Sequence, residues 1–194
     1  MNDDPESREF YCDVIMDEAS KMNHMVRNLL DLNQLEFGDE KIQFERFDLT
    51  ELVKGVLQSM ELFAEQKQAK VRFRQTEPLY VWGDEYKIEQ VVRNYVSNAF
   101  NHLAGDMVVE VKIEVKDGIA RTTVFNTGKP IPEEDISHIW EKFYKVDKAR
   151  TREYGGSGIG LSIVKAIMDS FHQKCGAVNH PDGVEFWMEL ETNN

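Results

Sequence analysis

From Ser7 to Leu35 no proline or glycine interrupts the chain, and apolar residues recur at Ile15, Met22, Met25, Leu29 and Leu32. Those steps of seven, three, four and three predict one long heptad-patterned helix over about 7–36, with Ala19, Val26 and Leu30 widening the stripe and Gly38 ending it. A single helix cannot bury such a seam, so it requires partner helices. After residue 45 the pattern changes. Asp48 or Thr50 caps a helix running to about Gln66, short strands follow near 71–74 and 80–82, and Gly83-Asp84 opens a helix over about 85–103. Period-two alternation over 107–115 and 119–125 flanks Asp117-Gly118, a hairpin signal. A helix near 133–140 follows Pro132, an amphipathic helix covers 159–172, and a last strand covers about 184–191. Helices and strands alternating irregularly around an antiparallel hairpin make the class α+β in two layers, preceded by the long helix. The boundary falls between a first part, 1–45, and a second, 46–194.

Composition removes several alternatives. With 41% hydrophobic and 30% charged residues, the 194-residue chain is too apolar for a disordered one. Its longest apolar run, Leu79 to Trp82, is far short of a membrane span or a signal-peptide core. Cys12 and Cys175 stand at opposite ends without CxxC spacing, which excludes a disulfide scaffold or cysteine zinc site. Net charge is −12, against nucleic acid or an anionic membrane surface as the main partner. The distribution is uneven. Residues 1–45 carry a net −8, whereas 141–152 carry Lys142, Lys145, Lys148, Arg150 and Arg152 against only Glu141 and Asp147. A basic island in an acidic chain suggests a local anion site.

Three segments carry candidate chemistry. On the helix at 85–103, Ile88, Val92, Tyr95, Val96, Ala99 and Leu103 form a core stripe, and beside it run Asn94, Asn98 and Asn101, with His102 adjacent. Asparagine is a poor helix former, so three on one face suggest a row of amide groups lining a ligand. Their oxygens are suitable hard ligands for Mg²⁺. Next, Val124 to Pro132 ends a strand in Asn126-Thr127-Gly128, an everyday turn that also presents a carboxamide acceptor to an amino group such as that of adenine. Third, Gly155-Gly156-Ser157-Gly158-Ile159-Gly160-Leu161-Ser162 opens directly into a helix, directly after the basic island. Close-packed glycine amides at a helix N-terminus make an anion cradle, which points to phosphate. The spacing is neither a Walker A loop nor a dinucleotide fingerprint. The five histidines show no metal-ligand spacing.

In this order, the motifs resemble the ATP-binding domain of bacterial two-component sensor histidine kinases, within the wider GHKL fold of DNA gyrase B, Hsp90 and MutL. Asn94 to Ala99 looks like the family's N box, Asn126-Thr127-Gly128 like its first glycine box, Trp140 to Tyr144 like its F box, and Gly156 to Leu161 like its second glycine box. The resemblance covers about 45–194, and the helix at 7–36 resembles the second helix of the dimerisation and phosphoacceptor hairpin. It implies a mixed sheet covered by helices, with ATP and Mg²⁺ as cofactors. Asn98 would bind the metal, and Asn94 would support metal or phosphates at the catalytic position. Asn126 would read the adenine with Gly128 and Ile131 beside it, and Asn101 and His102 would face the nucleotide. Lys145, Arg150 and the segment Gly156, Ser157, Gly158, Ile159, Gly160 and Leu161 would hold the phosphates.

The resemblance further implies transfer of the γ-phosphoryl to a histidine on a dimerisation helix absent from this chain, then relay to an aspartate of a response-regulator receiver domain. The family's ATP hydrolases carry Glu where Asn94 stands, and an amide cannot activate water. Homodimerisation would run through the complete hairpin, the domain would be cytoplasmic, and any membrane attachment would lie in a missing N-terminal part. With half the hairpin missing, Met22, Met25, Leu29 and Leu32 are expected to be exposed or paired non-natively. Departures are Asn126 in place of Asp, Pro130 in place of a second Gly, Asn101-His102 in place of Lys-Tyr, and no phosphoacceptor motif, since His24 lies in the wrong helix. The alternatives are a serine kinase or ATPase of the same fold, and a degenerate, non-catalytic nucleotide-binding dimerisation module.

Overall fold

The structure, a computed structural model, describes residues 5–37, 42–146 and 158–192. The long helix α1 (Pro5–Phe37) leads into strand β1 (Glu45–Asp48), then α2 (Leu49–Ser59), α3 (Glu61–Gln66), β2 (Lys70–Phe73) and β3 (Tyr80–Gly83). Helix α4 (Glu85–Asn101), the hairpin β4 (Val108–Lys116) and β5 (Ile119–Thr127), α5 (Gly160–Ser170), β6 (Cys175–His180) and β7 (Gly183–Glu191) complete the order. Five strands form a mixed sheet in the order β2-β4-β5-β7-β6, parallel only between β2 and β4, while β1 and β3 make a separate antiparallel pair. The expected α+β architecture, a mixed sheet with helices behind a leading helix, is the one observed.

The local reasons are legible. Asp117 and Gly118 both take positive φ, 52° and 78°, the geometry a two-residue hairpin requires. Along β5 and β7, Ala120, Val124, Phe186, Met188 and Leu190 turn inward onto Ile88, Val92, Tyr95 and Val96 of α4 and Ile163, Val164 and Ile167 of α5. Outward residues are polar or amphipathic: the Arg121 guanidinium lies 4.3 Å from the Trp187 ring centroid and bonds Glu189 at 2.5 Å.

Three points differ from those expectations. The helix expected from residue 50 to Gln66 is broken at Met60, whose φ of −107° and ψ of 9° end α2 before α3 begins. Residues 133–140 are successive turns rather than a helix, because most of their main-chain bonds span three residues, as in Asp135 N to Pro132 O and His138 N to Asp135 O. Strands β1 and β6 were not expected. Of the four seam residues, Leu32 is 1% exposed and joins the core, whereas Met22, Met25 and Leu29 are exposed. Helix α1 lies against α5, and Phe44 meets Phe171 edge-on with centroids 5.9 Å apart, so the end of the heptad seam docks on the second part of the chain.

Candidate nucleotide site

Helix α4 is set by its cap. Asp84 Oδ1 accepts from the Lys87 amide at 3.2 Å and Oδ2 from the Gln43 amide at 3.0 Å, fixing where the helix starts. With Tyr95, Val96 and Ala99 in the core, Asn94, Asn98 and Asn101 fall half-buried along its flank. Asn94 Nδ2 donates back to the Gln90 carbonyl at 2.9 Å, which fixes the orientation of the carboxamide. The oxygen then faces α5: a Cβ built on Gly160 would lie 2.7 Å from Asn94 Oδ1. The N-terminus of α5 therefore comes up directly against the asparagine row, closer than a Cβ at position 160 could stand without displacing the Asn94 carboxamide.

The other end of the row meets the first glycine turn. His102 caps α4 through its amide to Asn98 O at 3.0 Å, and its own carbonyl approaches Asn126 Nδ2 at 3.5 Å. A Cβ on Gly128 would lie 2.5 Å from that same carbonyl. Asn126 is 2% exposed, and its Nδ2 also donates to Thr127 O at 3.2 Å, so Oδ1 is the atom left to accept from a ligand. Thr127 Oγ1 accepts from the Val108 amide at 3.0 Å and ties the turn to β4. Asn94 and His102 are eight residues apart, about 12 Å of helix axis. One face of α4 thus joins the two glycine segments.

The aromatic–basic segment reaches the same place. The Phe143 amide donates to Gly158 O at 2.8 Å, bringing the F-box-like residues to the second glycine segment. Tyr144 donates its hydroxyl to Asp135 Oδ1 and stacks on His138 with centroids 5.5 Å apart. That hydrogen bond, with Asp135 carrying negative charge, holds the Tyr144 pKa above the ordinary phenol value. Trp140 anchors the segment edge-on against Phe186 at 6.3 Å. Lys145 is half-buried at its end. Arg150, Gly156 and Ser157 lie outside the described residues, as do Lys148 and Arg152. Ile159 is fully buried and its side chain belongs to the core, as does much of that of Leu161. Any contact of Ile159 with a ligand is therefore main-chain only.

Residues the sequence reading missed stand behind the first glycine turn. Asn179 on β6 bonds both main-chain groups of Ile131, and Asp182 O accepts from the Gly128 amide at 2.9 Å. Pro181-Asp182-Gly183 is a turn signal that could have located this hairpin.

Comparison with known proteins agrees in kind. The profile of the family described as "Histidine kinase-, DNA gyrase B-, and HSP90-like ATPase" matches residues 83–194. The sensor histidine kinase WalK of Bacillus subtilis is 30% identical over 159 residues, 81% of this chain and 26% of WalK. A probable sensor kinase, SilS of Salmonella typhimurium, is 32% identical over 163 residues, again 81% of this chain and 32% of the relative. Among solved structures, histidine kinase ThkA in complex with response regulator protein TrrA superposes with a TM-score of 0.79 at 29% identity, covering 98% of this chain and 53% of that one. The chain spans less than half the length of the curated relatives it matches.

Proposed function

This chain belongs to the family of histidine kinase-, DNA gyrase B- and HSP90-like ATPases, and from that premise we propose that it is the ATP-binding catalytic part of a sensor histidine kinase. In this reading residues 46–194 hold Mg-ATP and residues 1–45 are one helix of a dimerisation hairpin. The observation that carries it is the double contact of α4, with Gly160 at Asn94 and with Gly128 and Asn126 at His102. A nucleotide running along that face has its base at the Asn126 end and its phosphates at the Gly160 end.

The residues present fit the cofactor. A Cβ at position 160 would crowd the Asn94 carboxamide, so the glycine lets the N-terminal amides of α5 come close to the asparagine row, where the half-buried Asn98 offers a hard amide oxygen to Mg²⁺. Asn126 Oδ1 accepts from the adenine amino group, with Gly128 giving it room and Ile131 beside it. Asn101 and His102 line the middle of the row. Lys145, Arg150 and the amides of Gly156, Ser157, Gly158, Ile159 and Gly160 take the phosphates, and Leu161 seats the start of α5. When bound, Mg²⁺ neutralises charge on the phosphate oxygens.

The chain's own contribution is positioning. Asn94, held by Gln90 O, has no basic group with which to take a proton from water. That favours transfer to a protein acceptor over hydrolysis, with orientation and charge neutralisation carrying the rate. The acceptor is a histidine on a hairpin helix, and the next acceptor an aspartate of a response regulator, the kind of partner present in the ThkA–TrrA complex. Homodimerisation runs through the paired hairpins, and the domain works on the cytoplasmic side. No helix among the described residues is long and apolar enough to cross a membrane.

Isothermal calorimetry tests the site. Wild-type chain binds ATP more tightly with Mg²⁺ than without. Asn98→Ala keeps its circular dichroism spectrum and loses that Mg²⁺ dependence. Unchanged Mg-ATP affinity in the variant overturns the metal assignment, and no ATP binding by wild type overturns the whole reading.

A further inference from the structure

The chain from Gly128 to Pro132 lies in neither helix nor strand, and Pro130 has no amide with which to tie it down. Yet this stretch carries Ile131, at the base end of the site. Its fastening comes from the other side of the sheet edge. Asn179 Oδ1 accepts from the Ile131 amide at 2.9 Å, and Asn179 Nδ2 donates to the Ile131 carbonyl at 2.6 Å. A side-chain carboxamide thereby pairs with a main-chain residue 48 positions away as a neighbouring strand would. Two further contacts come from the same hairpin. Asp182 O receives the Gly128 amide at 2.9 Å, and a Cβ on Gly183 would lie 2.1 Å from the Asn126 carbonyl oxygen, so β7 begins flush against the base-reading residue.

We propose that Asn179 is a positioning residue for adenine recognition, holding Ile131 as the wall of the base pocket through its two main-chain hydrogen bonds. This rests on the nucleotide-site reading above. Among the described residues the side-chain hydrogen bonds of Asn179 go to Ile131, whereas Asn94 and Gly160 stand at the opposite end of the asparagine row. Loosening the wall therefore separates the base from the phosphates as contributors to affinity.

The experiment compares ATP with inorganic tripolyphosphate, both with Mg²⁺, against wild type, Asn179→Ala and Asn179→Asp. Asn179→Asp retains an acceptor for the Ile131 amide and sets an oxygen against the Ile131 carbonyl. ATP affinity is expected to fall about tenfold in Asn179→Ala, and by a smaller factor in Asn179→Asp, with tripolyphosphate affinity within about twofold of wild type. Equal losses for the two ligands would mean that Asn179 merely supports the fold, and unchanged ATP affinity would mean that the wall holds without it. Either result overturns the proposal. Should Asn179→Ala fail to fold, Asn179→Asp is judged by the same two criteria. Failure of wild type to bind ATP is a different result, and sinks the nucleotide-site reading instead.

Discussion

Tyr95 lies fully buried in α4, its ring stacked on Phe186 at 5.5 Å and its hydroxyl donating to the Trp187 carbonyl at 3.0 Å. Burial holds its pKa well above the ordinary phenol value, and Cys175 adds to the effect. Cys175 at the start of β6 is pushed up to about 11, chiefly by burial. Both groups are favoured in their neutral forms by folding, so their stabilisation is complete below the unfolded-state values and is lost as pH rises through the folded ones. Between about pH 9 and about pH 11 the native state must therefore lose stability through Cys175. Cys175→Ala removes that contribution. Urea unfolding at stepped pH is expected to show the stability gap between wild type and Cys175→Ala narrowing across this window; a gap independent of pH would show that the thiol does not titrate as its burial requires. Tyr95 was legible as a core position from its spacing with Val92 and Ala99. Its proximity to Cys175 was not, because eighty residues and an unrecognised strand separate them.

At the scale of elements, what could be read was periodicity, and what could not was local bonding. Helix α4 and the β4–β5 hairpin repeat their patterns over nine or more residues, and both were found close to their observed bounds. Strand β6 reads Cys-Gly-Ala-Val-Asn-His, with no alternation of apolar and polar residues, because it sits at a sheet edge with most positions half-buried. The turns at 133–140 follow a proline at a helix-starting position, but most of their main-chain bonds span three residues and no α-helical ladder runs through them. The asparagine row and both glycine segments were legible as chemistry, whereas Asn179 was not, since its partner is a main-chain group. Helix α1 shows the same division. Its seam was plain from the heptads, but nothing in them distinguishes the turn that docks on α5 from those that do not. Leu32 is buried and Leu29 is 41% exposed. Leu32→Ala is expected to cost about 2–4 kcal/mol, and Leu29→Ala no more than about 0.5 kcal/mol, in urea unfolding at low protein concentration. Equal costs would mean that α1 does not dock on α5 in solution.

For the whole molecule, α1 projects an apolar stripe that the described residues leave uncovered: Phe10, Ile15, Met22, Met25, Val26 and Leu29 are all exposed. A stripe of this length on a helix is an association surface, and the proposed hairpin supplies its complement from a second helix and a second subunit. The sequence of α1 bears on the acceptor as well. His24 belongs to α1, in a sequence His-Met-Val-Arg-Asn-Leu-Leu that lacks the acidic residue and proline of an acceptor segment. Incubated alone with γ-labelled ATP, the chain is therefore expected to bind nucleotide and gain no acid-labile label. Added to a separate helical-hairpin fragment that carries a histidine followed by an acidic residue, it is expected to label that fragment in proportion to time and enzyme. Stoichiometric label on His24 would overturn the acceptor assignment. ATP binding without label on either partner would instead favour a nucleotide-binding dimerisation module that performs no transfer. The distinction is physical: in the proposed reading a kinase must bring the phosphates, held where Asn94 meets Gly160, within reach of a histidine on the hairpin, whereas a binding module needs only the grip.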